Sequence, residues 1–131
     1  MTEPRPRRWP HLEKLAVDVL TSGDVRAATR TPEDLEALAA KGFHRVTRGP
    51  GSDDGVTDSP LLDVESFGTS ESSAWELAED ARQAVHKLRG RAVNGVLVDT
   101  VSTASGPVLV DWGNPGIHRY VASYRFAFRQ Q

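Results

Sequence analysis

Asp58, Asp63 and Glu65 come closest in this chain to a metal-dependent hydrolytic centre. Asp63 and Glu65 stand two apart, so on a strand they project from one face, where with Asp58 they could hold Mg²⁺. Restriction-type nucleases follow the second acid with x-Lys to stabilise developing charge, whereas Ser66 and Phe67 follow Glu65 here. A solvent-facing acidic strand face is therefore the preferred reading. Ser52 to Asp58 places three carboxylates around Gly55 but lacks the alternating Asp-x-Asp-x-Asp-Gly order and distal Glu of a Ca²⁺ loop, so it reads as an Asp-rich turn.

The other chemistry-bearing residues are sparser. His11, His44, His86 and His118 form no His-x-His or His-Glu-x-x-His pair, and each reads as a surface or packing residue. Ser102 to Gly106 has hydroxyls and a glycine but neither the Gly-x-Ser-x-Gly elbow nor the Gly-x-x-x-x-Gly-Lys phosphate cradle, and it reads as a hairpin tip. Trp112, beside the Asn114-Pro115-Gly116 turn signal, is either a core residue or an interface anchor.

Composition narrows the field further. The chain has 131 residues, 16 Lys plus Arg against 18 Asp plus Glu, and no cysteine. That length buries a core without metal or disulfide support, so no cofactor is expected. The missing cysteines exclude disulfides, thiolate metal sites, iron–sulfur clusters and a cysteine nucleophile. A formal charge of -2 argues against a surface that grips nucleic acid everywhere. No apolar run approaches the roughly 20 residues that cross a bilayer, and Met1 to Pro10 lacks an apolar signal core, so no membrane association and a cytoplasmic site of synthesis are expected.

Several elements must position these residues. Residues 1–8 are polar, proline-containing and basic, and read as a flexible tail ahead of a single domain over residues 9–131. Pro10 suits a first helical turn, and Leu12, Leu15, Ala16, Val19 and Leu20 recur at helical spacing. Val25 to Thr29 is β-prone, Thr31-Pro32-Glu33-Asp34 reads as the start of a second helix reaching about Ala40, and Phe43 to Arg48 alternates as a strand after Gly42. Gly49 to Ser59 carries three glycines, a proline and three aspartates and is expected to be a long loop, after which Leu61 to Gly68 pairs back antiparallel.

Ser70 or Ser73 caps the longest helix, whose stripe Ala74, Ala78, Ala81, Val85, Leu88 runs towards Gly90. Trp75 widens that stripe and is expected in the core. Val96 to Thr103 and Val108 to Asp111 are expected to form a second hairpin around Ala104 to Pro107. Along Arg119 to Arg129, Tyr120, Ala122, Tyr124, Phe126 and Phe128 share one strand face, so Tyr124 and Phe126 are also expected in the core. The expected class is α+β, a mainly antiparallel sheet of four to five strands packed against two to three helices.

Trp9-Pro10, Thr31-Pro32-Glu33-Asp34-Leu35, the Gly/Asp segment, Thr57-Asp58-Ser59-Pro60 running into Asp63-Val64-Glu65-Ser66-Phe67, Ala74-Trp75-Glu76-Leu77-Ala78, Trp112, Asn114-Pro115 and Arg119-Tyr120-Val121-Ala122-Ser123-Tyr124 occur in this order. Together they resemble the tail terminator proteins of long-tailed bacteriophages, especially those infecting actinobacteria, over Trp9 to Arg129. The chain departs from similar families at Arg48-Gly49-Pro50-Gly51, where they are richer in aliphatic residues.

The resemblance implies a non-enzymatic virion protein, a hexameric ring on the head-proximal end of the tail tube that stops tube growth. Its implied partners are further copies of itself, the major tail tube protein, the head–tail connector or stopper, and genomic DNA passing without sequence-specific binding. Gly49 to Ser59 and Asp111 to Arg119 are the segments expected to face neighbouring subunits, the tube or the channel. The residues singled out are Arg48, Asp53, Asp54, Asp58, Trp112, Asn114, Pro115, His118 and Arg119. The alternatives are a head-side stopper or adaptor, a Mg²⁺-dependent nuclease using Asp58, Asp63 and Glu65, and a monomeric binding module.

Overall fold

Along the chain run α1 (Leu12–Leu20), β1 (Arg26–Ala28), α2 (Leu35–Lys41), β2 (Phe43–Asp53), β3 (Thr57–Gly68), α3 (Glu71–His86), β4 (Ala92–Val93), β5 (Val96–Leu97), β6 (Thr100–Leu109) and β7 (His118–Arg129). This computed structural model describes residues 7–131. Most of the tail expected over residues 1–8 lies outside the described residues, while Arg8 exchanges backbone hydrogen bonds with Gln131 at 3.2 and 2.7 Å. Five strands form one sheet in the order β1-β2-β3-β7-β6, with β1 parallel to β2 and every other pair antiparallel; β4 and β5 form a separate ribbon. The class is α+β, as the sequence pattern requires. Among the described residues no helix is long and apolar enough to cross a membrane.

Alternation decides which face is covered. Leu62 and Val64 on β3 and Ala122, Tyr124, Phe126 and Phe128 on β7 point to one side and are buried against Leu12, Leu15, Ala16 and Leu20 of α1 and Ala81 and Val85 of α3. The small Ala74, Ala78 and Ala81 line the buried side of α3, which lets the helix backbone approach the sheet. Ser70 caps α3 reciprocally with Ser73, the first of the two caps the sequence offers. On the opposite face, at one end only, Phe43, Phe67, Leu35, Ala39 and Ile117 form a smaller core with Trp112 packed on it.

The expected loop over Gly49 to Ser59 is instead a hairpin: β2 continues to Asp53, β3 begins at Thr57, and the turn is confined to the residues between. A bulge between Gly49 and Ser52 absorbs Pro50 and Gly51. A Cβ on Gly51 would sit 2.4 Å from the Ser59 carbonyl oxygen, so glycine here serves close strand approach. The true turn is held by Asp54, whose carboxylate accepts the Val56 and Thr57 N–H groups at 2.9 and 2.6 Å, with Gly55 at φ 85°.

The expected turn over Ala104 to Pro107, and with it the hairpin tip over Ser102 to Gly106, lies within the continuous strand β6. As the last strand of the sheet, β6 tolerates a proline and two register shifts because one of its edges pairs with nothing. The hairpin of this region is β4–β5, turned by Asn94 (φ 50°) and Gly95 (φ 79°), the pair that a type I′ turn demands.

Two helix starts also differ. His11, not Pro10, opens α1, its Nδ1 accepting the Lys14 N–H at 3.1 Å. α2 begins at Leu35 after Asp34, because the Thr31 hydroxyl is engaged by Arg45 rather than by helix amides. Trp75, expected in the core, is 41% exposed. It sits one position off the buried alanine line of α3 and lays its ring edge-on against Tyr120, at 5.4 Å between centroids.

Candidate functional site

The nine singled-out residues fall into two groups at opposite ends of the sheet. Asp58 pairs with Phe128, whereas Gly68, ten residues further along β3, pairs with His118. At a rise of ~3.3 Å per residue the groups stand about 33 Å apart.

The first group surrounds Glu65. Its carboxylate accepts from Arg119 at 2.9 Å and also pairs with Arg45. Both guanidinium groups lie over the Trp112 ring, at 4.9 Å for Arg119 and 5.7 Å for Arg45, while Phe67 meets the same ring edge-on at 5.0 Å. Trp112 packs on the smaller core, as its core reading expects, while staying half-buried. Arg119 also donates to the Asp111 carbonyl at 3.2 Å, and its Nε is buried without a partner among the described residues.

Asn114 donates to Glu36 at 2.8 Å and accepts the Gly116 N–H at 2.8 Å, tying the turn to α2. Pro115 is exposed, His118 is half-buried, and a cleft of about 400 Å³ opens between them, Trp112 and Glu71. Two guanidinium groups share the Glu65 carboxylate beside an aromatic ring, and the exposed carboxylates of Glu36, Glu71 and Asp111 lie at the same end, so this end presents mixed charge around Trp112.

The second group lies at the β2–β3 tip. Arg48 grips Asp58 with two contacts of 3.0 Å, and Asp58 is buried while Arg48 is exposed. Asp53 accepts the Gly55 N–H at 3.0 Å. The Thr57 and then the Val56 backbone N–H hold the Asp54 carboxyl below the usual carboxylate range. Asp53 and Asp54 are exposed at the turn, and the exposed Arg48, Arg125 and Arg129 stand on the strands behind it.

The three acids weighed as a nuclease centre are not assembled. Asp58 points into the covered face of β3 with Leu62 and Val64, while Asp63 and Glu65 occupy the other face. Nor are those two a solvent-facing acidic stripe: both are half-buried, Asp63 accepts the Ser123 hydroxyl at 2.6 Å, and Glu65 has its two arginines. Among the described residues no group of three or more His, Asp or Glu is placed to hold a metal ion.

Sequence reasoning passed over Arg45, Glu65 as an ion-pair hub, and the pair His44–Ser66. His44 Nδ1 and Ser66 Oγ lie 2.9 Å apart, and burial pushes the imidazole down to about 4. With Ser66 only 1% exposed, its hydroxyl is not presented to a substrate. The available signal was opposite charge on neighbouring strands, which becomes specific only once the register places Arg45 opposite Glu65. The chain matches no protein-family model and no curated protein.

Proposed function

We propose that this protein is a structural ring subunit, the tail terminator of a long-tailed bacteriophage, resident in the virion where tube meets head. The observation that carries the reading is the separation of two unlike clusters by about 33 Å at opposite ends of one sheet, an aromatic one in which Trp112 lies against Arg45 and Arg119 and a hairpin tip turned by Asp53 and Asp54. A subunit in a stack of layers must meet one neighbour below and a different one above, and surfaces of different make-up at the two ends suit that task. The resemblance carried by the order of short motifs from Trp9 to Arg129 supports the choice of a phage tail as that stack.

On this reading further copies of the chain close the ring, the tail tube protein binds one end and the head connector the other. DNA passes the lumen with little adhesion, since exposed carboxylates add no phosphate contacts. No bond is made or broken. Electron microscopy of tails assembled with and without the protein tests the reading: overlong, uncapped tubes in its absence are expected, and tubes of normal length joined to heads would overturn it.

A further inference from the structure

The strand pairings line up one row of residues across the whole sheet: Ala27 on β1, His44 on β2, Ser66 on β3, Tyr120 on β7 and Leu109 on β6. Both ends of this row are open among the described residues. Val110 donates its N–H to the Arg119 carbonyl at 2.9 Å, so by antiparallel alternation the N–H and C=O of Leu109 point away from β7. Arg26 donates to the Gly42 carbonyl at 3.3 Å, so the backbone groups of Ala27 point away from β2 in the same manner.

The β6 end is poorly defended. Thr100 to Val110 contains no charged residue, whereas solvent-exposed edges normally carry charges that discourage pairing. Val108, Leu109 and Val110 are 55%, 43% and 37% exposed and Trp75 is 41% exposed. These are four of the six large apolar side chains that stand exposed among the described residues, gathered at one edge. Leu109 shares its face with Tyr120, against which Trp75 packs, so the edge is flanked by an aromatic shelf.

We propose that the β6 edge at Val108 to Val110 pairs antiparallel with β1, Arg26–Ala28, of a second copy of this chain, so that one sheet continues from subunit to subunit. The proposal rests on the ring reading for its choice of a second copy as occupant. β1 runs parallel to β2, and β2 runs opposite to β6, so two copies standing the same way up present antiparallel edges. Leu109 and Ala27 of the neighbour then exchange two backbone hydrogen bonds, and the small Ala27 and Ala28 leave room for the valines and Leu109.

Charge agrees at the same level. Arg26 falls beside Val110, next to Asp111, and both charged groups are exposed and free of ion-pair partners among the described residues. The contact is heterologous, since β6 and β1 are different surfaces, and therefore propagates until it closes.

Because the chain has no cysteine, engineered thiols report this contact without background. Arg26→Cys and Val110→Cys would face each other across a non-hydrogen-bonded pair, with Cα atoms about 4.5 Å apart, inside the range a disulfide spans. Oxidation of the double variant, in purified protein and in assembled tails, is expected to give a ladder of covalent multimers. Either single variant alone is expected to stay monomeric on denaturing gels, and mixing the two singles to give only dimers.

Leu109→Lys is expected to lower the yield of oligomer at least tenfold at unchanged thermal midpoint. A dimer from Val110→Cys alone would overturn the proposal in favour of two-fold β6 pairing, and no cross-link in either preparation would overturn it outright. Rings that persist in Leu109→Lys overturn the edge contact and leave the ring reading standing. A ladder together with normal tails made without the protein removes the terminator reading and leaves the contact standing.

Discussion

Glu65 of β3 and Arg119 of β7 form a 2.9 Å ion pair on the diagonal, since the direct neighbour of Glu65 is Val121 and that of Arg119 is Phe67. The diagonal brings the guanidinium under Trp112 and away from the sheet edge. Arg45 reaches the same carboxylate from the other side, so one anion holds two cations together at a half-buried position where their mutual repulsion is poorly screened.

Removing the anion should therefore cost more than removing either cation. Glu65→Gln is expected to destabilise by about 1 to 3 kcal/mol, because it leaves two guanidinium groups facing each other with lost charge-assisted bonds. Arg45→Gln, which leaves a simple Glu65–Arg119 pair, is expected to cost less. Urea unfolding midpoints of the two variants decide the order, and equal losses would contradict the hub role.

Acid should weaken the fold through His44. Burial disfavours its cation and pushes the native imidazole down to about 4, whereas in the unfolded chain it titrates near the ordinary histidine value of 6.5. The unfolded state thus takes up the proton first. The stability carried by neutral His44 is complete above pH 6.5, declines as pH falls towards 4 and is gone below it, a change of roughly 3 kcal/mol at ~1.4 kcal/mol per pH unit. Chemical denaturation between pH 7 and 4 should show this slope in the native protein and a flatter one in His44→Gln.

Gly51 predicts the behaviour of the hairpin. An added Cβ meets the Ser59 carbonyl at 2.4 Å and Pro60 Cα at 2.7 Å, and both are backbone atoms that cannot rotate away. Gly51→Ala should part the strands locally, with faster amide hydrogen exchange over Ser52 to Ser59 and little change near Phe43 or Phe67. Gly55→Ala at the tip would strain only the positive φ, since nothing lies within 4 Å of its Cβ. Unchanged exchange in Gly51→Ala would refute the close approach.

The strongly periodic elements were legible from sequence: the α1 stripe, the alanine line of α3 and the alternation of β7 each follow from one side of an element being buried. What failed was punctuation. Pro50, Gly51, Gly106 and Pro107 signal turns by composition, yet bulges and an unpaired edge let a strand carry them. Trp75 stands at the rim of the α3 face, which hydrophobicity alone does not distinguish from its centre. The Glu65 hub was hidden because Arg45, Glu65 and Arg119 lie 20 and 54 residues apart, and only the strand register joins them.

Tyr124 carries a hydroxyl for which the fold has no use. It is fully buried, its oxygen lacks a hydrogen-bond partner among the described residues, and burial pushes its ionisation up to about 12 despite the opposing pull of Arg82. The ring itself is well held, with the His86 imidazole edge-on at 5.9 Å. Withdrawing an unpaired hydroxyl from water costs free energy that phenylalanine avoids while keeping the same shape. Tyr124→Phe should therefore leave the thermal midpoint unchanged or raise it by the equivalent of about 1 kcal/mol, against the loss expected of most core substitutions. A drop of more than about 1 kcal/mol would mean that the hydroxyl is bonded in solution after all.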